Sequence, residues 1–249
     1  MYIRPVHAEL DVAKLHDFVR TWPLGQFTTA IPHPTIDTLQ TTHIPWVLYA
    51  DEGEFGVLRG HMARANPQAK AIVAQAAGSP VHELADDALV LFTSPHNAYV
   101  TPRYMTATKQ ENGKVTPTWV FGAAQVYGRV RAYTSGTEAD AFLSQQVDAL
   151  TRQQEATVPG KPWTVDEAPE SYNARLRKAI IGLEITITKI EGRFKFSQDE
   201  ADGDWEGIRQ GFKAEGSVLG AEVVKAMEER GGDRPSLVAE RAAGASASS

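Results

Sequence analysis

Apolar and polar residues alternate over several short stretches of this chain and recur at helical spacing over others. Leu15, Phe18 and Val19 follow Asp11 at helical spacing, which predicts a short helix over roughly residues 12–20 with Asp11 as its N-cap. Trp22-Pro23-Leu24-Gly25 ends it. Three β-type runs come next, Gln26–Ala30, Thr41–Tyr49 and Phe55–Arg64, and the turns between them suit an antiparallel meander. Asn66-Pro67 then reads as an N-cap followed by proline at the first helical position, opening a helix through Gln75.

Ala88–Thr93 is apolar throughout, Ala98–Tyr104 alternates, and Thr118–Tyr133 is a long alternating stretch interrupted by Gly122 and Gly128. One face of that long strand carries Trp119, Phe121, Gln125, Tyr127, Arg129 and Arg131; the other carries Val120, Ala124, Val126, Val130 and Ala132. The second face is small, so a neighbour must pack close. Strands this numerous, with bent long members and few helices between them, favour a small closed or split barrel over a doubly wound parallel sheet.

Thr137, with Asp140 three residues on, is expected to cap a helix whose Phe142, Leu143, Val147 and Leu150 share a face and which ends near Gln154. A Pro-rich linker around Trp163 and a short helix over Tyr172–Ile180 follow. Leu183–Ile190 alternates cleanly, and with Glu191-Gly192 as a turn and Arg193–Phe196 as a return strand it predicts a hairpin. Ser197 with Glu200 starts a helix to about Lys213, and Leu219–Arg230 is another. The reading is one domain over residues 1–230, with its core barrel over about 24–135, and a disordered tail of Gly, Ala, Ser and charges over 231–249.

Composition narrows the chemistry. The absence of cysteine from all 249 residues excludes disulfides, thiolate nucleophiles, Cys-ligated zinc and iron–sulfur clusters. No run approaches the ~18 apolar residues of a membrane span, and the first residues lack the basic-then-apolar order of a signal peptide, so the expected location is cytoplasmic. A formal net charge of −6, with Arg175-Leu176-Arg177-Lys178 as a lone basic cluster read as a solvated face, argues against direct nucleic-acid binding.

The densest polar and aromatic region is Thr41–Tyr127, which holds His43, His61, His82, His96, Trp46, Trp119 and Arg64. His43 and His61 lie on consecutive predicted strands that could place them on one barrel surface. A metal site using His43, His61 and His96 is conceivable, but no tight His-x-His or His-x-x-x-His pair supports it. Arg64 precedes Asn66-Pro67 by two residues, so guanidinium fork and helix end together could bind a phosphate. Gly-x-Ser-x-Gly, the P-loop and Gly-x-Gly-x-x-Gly are all missing, which disfavours a serine hydrolase and nicotinamide-type Rossmann binding.

Thr42-His43-Ile44-Pro45, Gly60-His61-Met62-Ala63-Arg64-Ala65-Asn66-Pro67-Gln68, Ser94–Pro102, Pro117-Thr118-Trp119 and Glu191–Gln198 resemble, in order, the signature blocks of the PaiB family, the so-called FMN-binding negative transcriptional regulators. The resemblance runs from Met1 to about Met227. It implies an α+β fold, an FMN-binding split β-barrel with peripheral helices, and a homodimer with FMN at the subunit interface. By resemblance Thr42, His43, His61, Arg64, Trp119, Gln125, Lys195 and Gln198 bind the cofactor, Arg64 holding its phosphate and Trp119 stacking on or lining its ring. The chain departs from the family where Asn-Tyr usually follows Pro-Thr-Trp, here Val120 and Phe121, and where a His usually stands, here Gln125. Three readings follow. The first is an FMN-dependent oxidoreductase acting on a small organic molecule; the second is a transcriptional regulator or flavin sensor acting indirectly; the third is a barrel that has lost flavin and binds haem or catalyses a cofactor-independent reaction.

Overall fold

The computed structural model describes residues 1–235 and Leu237; the expected tail, 231–249, otherwise lies outside the described residues. Along the chain run β1 (Ala8–Glu9), α1 (Val12–Thr21), β2 (Leu24–Ala30), β3 (Leu39–Pro45), β4 (Val47–Tyr49), β5 (Val57–Ala63), α2 (Pro67–Gln75), β6 (Val81–Glu83), β7 (Ala88–Thr93), β8 (Ala98–Val100) and α3 (Thr106–Glu111). They are followed by β9 (Thr118–Tyr133), α4 (Gly136–Glu155), α5 (Glu170–Lys178), β10 (Ile180–Lys195), α6 (Asp202–Glu215) and α7 (Val218–Arg230). Contacts gather the chain into two compact units: residues 10–92 with 124–191, and residues 1–9 with 93–123 and 192 onward.

The first of these units is a curled sheet with strand order β3-β2-β7-β9-β10-β5-β4. Strand β3 pairs antiparallel with β2, and β4 pairs antiparallel with β5, so the two stand at opposite ends of that order. Yet only Trp46 separates them in sequence. A sheet whose two ends are joined by one residue has to curl back on itself, and the result is a split β-barrel. The run Thr41–Tyr49, which the alternation predicts as one strand, is therefore two, bent at Trp46. That indole is 1% exposed and packs in the barrel interior, where a Cβ added to Gly60 would lie 2.9 Å from its ring. Pairing is hairpin-like within β2–β3 and β4–β5, but a simple meander does not continue from β3 to β5.

Burial along β9 follows the predicted alternation over most of its length: Val120, Ala124, Val126, Val130 and Ala132 are fully buried, and the opposite face is half-buried or exposed except at Ala123 and Tyr133, which are buried. The glycine at 128 allows the close approach that the small inward face implies, since a Cβ there would sit 2.3 Å from the main-chain oxygen of Thr186 on β10. Outside the barrel, α4 packs on β10 at Gly182, where a Cβ would meet the Phe142 ring at 2.5 Å. The sheet's outer face is thus covered at its β10–β5 end. Helix α4 starts one residue before the expected cap: Ser135 is the N-cap, and Gly136, at φ +85°, opens the helix.

In the other unit, β8 pairs with the start of β9 and β1 with the end of β10, while α3 and α7 pack on α6. The hairpin expected at Glu191-Gly192 does not form. Strand β10 runs unbroken from Ile180 to Lys195, because Gly192 keeps extended backbone and pairs with Glu9 of β1 instead of turning. Ser197 does not cap the next helix either; it holds a left-handed φ of +62°, and α6 begins at Asp202. Helix α5 begins two residues earlier than predicted, and β8 stops at Val100 instead of reaching Tyr104.

Candidate functional site

Arg64 follows directly on β5, and its side chain does not turn toward the first turn of α2. Its Nη2 donates to the carbonyl oxygens of Thr134, at 2.6 Å, and Ile180, at 3.1 Å, and its Nε donates to that of Lys178 at 3.3 Å. A guanidinium has five N–H donors in a fixed fork, so Nη1 keeps two for another partner. The α2 N-terminus is closed locally: Asn66 accepts from Gln68 N–H, and its amide donates to Thr42 Oγ1 at 3.0 Å. The helix end beside Arg64 belongs to α4 instead.

There Arg64, Thr134, Ser135, Gly136, Arg177 and Lys178 line a cleft of about 370 Å³. Gly136 presents main-chain N–H at the positive end of a 20-residue helix. Arg177 is compensated by Glu170, at 2.7 Å, and by Asp140, which also lines the cleft, at 3.2 Å. The Glu170 hydrogen bond holds the guanidinium charged above its ordinary range. Arg64 and Lys178 have no ion-pair partner among the described residues, which leaves two uncompensated cations facing a helix N-terminus. That is the chemistry of an anion clamp.

A second cleft, of about 330 Å³, also has Arg177 in its wall and is mostly apolar, lined by Ala63, Val147, Val165, Leu176 and Ile180, with His61, Ser144 and Asn173 as polar members. His61 is half-buried on β5, and its Nδ1 meets Gln146 Oε1 of α4 at 2.5 Å.

The remaining predicted residues lie elsewhere. His43 is exposed on β3, opposite Gln26, and is not in either cleft. Gln125 accepts from Tyr127 Oη at 3.0 Å on the outer face of β9. In the other unit Trp119, 55% exposed, meets Tyr99 edge to face across the β8–β9 pair, and Lys195 donates to Thr118 Oγ1 beside it. Gln198 folds back on its own turn, accepting from Phe196 N–H and donating to the Phe194 carbonyl, each at 2.6 Å. The structure therefore brings together Arg64 and His61 through adjoining clefts, Thr42 with the Asn66 cap, and Trp119 with Lys195. Among the described residues no group of three or more His, Asp or Glu could hold a metal, and no helix is long and apolar enough to cross a membrane.

Sequence reasoning missed Ser135, Arg177, Lys178 and Gln146. Two signals were present. Ala174, Arg177 and Lys178 stand three and four apart, on one face of α5, and Gln146 falls on the apolar stripe of α4 with Ala139 and Leu143.

A cation-lined cleft at a helix end beside an apolar slot, on a split β-barrel, has the chemistry to take a flat ligand carrying an anionic group. Residues 1–189 match the family described as "Putative FMN-binding domain", and the chain belongs to that family. An uncharacterized protein of Emericella nidulans is 44% identical over 245 residues, covering 93% of this chain and 98% of its own. Protease synthase and sporulation protein PAI 2 of Bacillus subtilis is 23% identical over 230 residues, 92% of this chain and 98% of its own, in keeping with the PaiB resemblance. Among solved structures, a pyridoxamine 5'-phosphate oxidase-related, FMN binding protein of Nostoc punctiforme aligns at 12% identity and a TM-score of 0.38, over 77% of this chain and 86% of its own. The haem alternative finds no support in the family match.

The donor set fits a flavin mononucleotide in kind. A phosphate dianion asks for the free Nη1 of Arg64, the Lys178 ammonium and the N–H of Gly136. A planar ring asks for an apolar slot with few polar groups, and the His61 cleft is one.

Proposed function

We propose that the chain binds FMN, with its phosphate in the Arg64 cleft and its ring toward the His61 cleft, and uses it as an oxidoreductase on a small organic molecule. The observation that carries this reading is the pair of uncompensated cations, Arg64 and Lys178, beside the N-terminal end of α4. Bound flavin supplies two-electron hydride chemistry that no side chain of a cysteine-free protein provides. The chain's own part is to clamp, orient and desolvate. Arg64 is fixed by three carbonyls and so presents Nη1 in one direction, which gives a phosphate a preorganised partner.

The working form is a homodimer. Gln26 lies opposite both His43 and Leu91, so these three share the sheet's outer face; by burial Leu89, Gln125 and Tyr127 belong to it too. Strand β7 is apolar on both sides, a pattern of strands covered on both faces, and Leu89 and Leu91 are only half-buried here. A second copy seated on this face would cover them and bring His43 and Gln125 into an interface.

The test is the absorbance spectrum of purified protein with and without added FMN, together with Arg64→Ala. Flavin bands in the native protein, and binding at least tenfold weaker in the variant, are expected from the loss of a charge-assisted hydrogen bond worth ~1.5–3 kcal/mol. A protein that ignores FMN sinks the proposal. The name of the Bacillus relative favours a second reading, a flavin-bound regulator without turnover. Catalytic reoxidation or reduction of bound flavin in the presence of a nicotinamide donor and an acceptor would separate the two.

A further inference from the structure

Of the four polar residues lining the apolar cleft, Ser144 is a hydroxyl and Arg177 is already held by Glu170 and Asp140, which leaves His61 and Asn173. His61 lines it with Nδ1 already taken by Gln146 Oε1. Gln146 is 1% exposed, and its Nε2 faces the Arg59 carbonyl at 3.5 Å. Turning the amide over would set oxygen against that carbonyl oxygen, so Oε1 must face the imidazole and Nδ1 must carry the hydrogen. Nε2 of neutral His61 is then a bare acceptor. Asn173 repeats the arrangement: its Nδ2 donates to the Val165 and Ala168 carbonyls, at 2.9 and 3.4 Å, which leaves Oδ1 as an acceptor.

We infer that Gln146 is a positioning residue that fixes the His61 tautomer, so that the cleft selects a flat apolar guest by an N–H or O–H donor on its edge. This rests on the flavin reading, and there it names the edge recognised: the imide N–H of the ring, the only N–H donor on an oxidised isoalloxazine. The ring's other edge atoms are acceptors and would meet His61 Nε2 and Asn173 Oδ1 lone pair to lone pair.

Protein labelled with ¹⁵N in histidine, free of ligand, tests the tautomer directly. Long-range proton–nitrogen spectra should show His61 protonated on Nδ1 in the native chain and in Gln146→Glu, which keeps an acceptor, but a mixed or inverted tautomer in Gln146→Met. A purely structural role would not separate Glu from Met in this readout. Quenching of flavin fluorescence then compares FMN with its N3-methylated analogue. The native protein should bind the methylated flavin about tenfold more weakly, and Gln146→Met should bind the two alike. FMN binding with no penalty for methylation, or a native His61 protonated on Nε2, overturns the inference alone. No binding of FMN to the native protein overturns the flavin reading and the inference with it.

Discussion

His82 has both ring nitrogens buried without a well-formed hydrogen bond. Burial pushes its pKa below the ordinary 6.5, and the main chain at Ile72 offsets only part of that. A histidine whose folded pKa is depressed binds fewer protons folded than unfolded, so stability is full above about pH 6.5 and falls as pH drops toward the folded value. Asp199 acts lower. Burial raises its pKa, but His7 and Arg4 more than reverse this, so its contribution is lost only as pH falls below its ordinary 3.8. Melting temperatures between pH 7.5 and 5.5 should therefore fall in the native protein and fall less in His82→Leu; equal slopes would remove His82 as the cause. At this scale the sequence is most readable where partners are near. Asp11 caps Ala13 and Lys14, and Asn66 caps Gln68, because those hydrogen bonds close within three residues. Arg64 was marked for phosphate, but its carbonyl partners lie 70 to 116 residues away, beyond any local pattern.

Among the elements, β9 was legible in its extent, since a half-covered strand writes its burial as alternation, here broken only where Ala123 and Tyr133 are also covered. Strand β10 was not. Glu191-Gly192 has the composition of a turn, but the two residues of β1 offer that stretch a ladder partner, and hydrogen bonding to it keeps the backbone extended. Trp46 concealed itself in the opposite way, as one more apolar residue in a β-type run, although it is the bend that sends β3 and β4 to opposite ends of the strand order. Gly128 gives an element-level test. Alanine there would drive Cβ to 2.3 Å from the Thr186 oxygen, a main-chain atom that cannot swing aside. Overpacking of that kind costs about 1–3 kcal/mol, so Gly128→Ala should lower the melting temperature by roughly 2–12 °C. An unchanged melting point would mean that β9 and β10 are not held this close.

For the molecule as a whole, the curled sheet explains where the clefts are: α4 and α5 cover the β10–β5 end and create them, while the face of β2, β3, β7 and β9 keeps half-buried leucines and the outward His43. The dimer proposed on that face should appear in light scattering as twice the chain mass of 27.2 kDa. A stable interface needs roughly 800 Å² from each partner, and Leu91→Lys in its middle should yield monomer with the barrel intact by circular dichroism. A native monomer would dismiss the dimer. The residues that set the clefts come from β5, the end of β9, α4 and α5, so no single motif could display them together in sequence.

The position of β10 also governs the order in which the protein can be made. Among the described residues it is the last strand to leave the ribosome, yet it stands between β9 and β5 in the sheet. Until residues 180–195 emerge, both neighbours carry bare edges able to recruit strands from other nascent chains. The stretch joining α4 to β10 thus sets how long that exposure lasts, and synthesis slowed just after Lys178 should lengthen it and raise the fraction lost to aggregation.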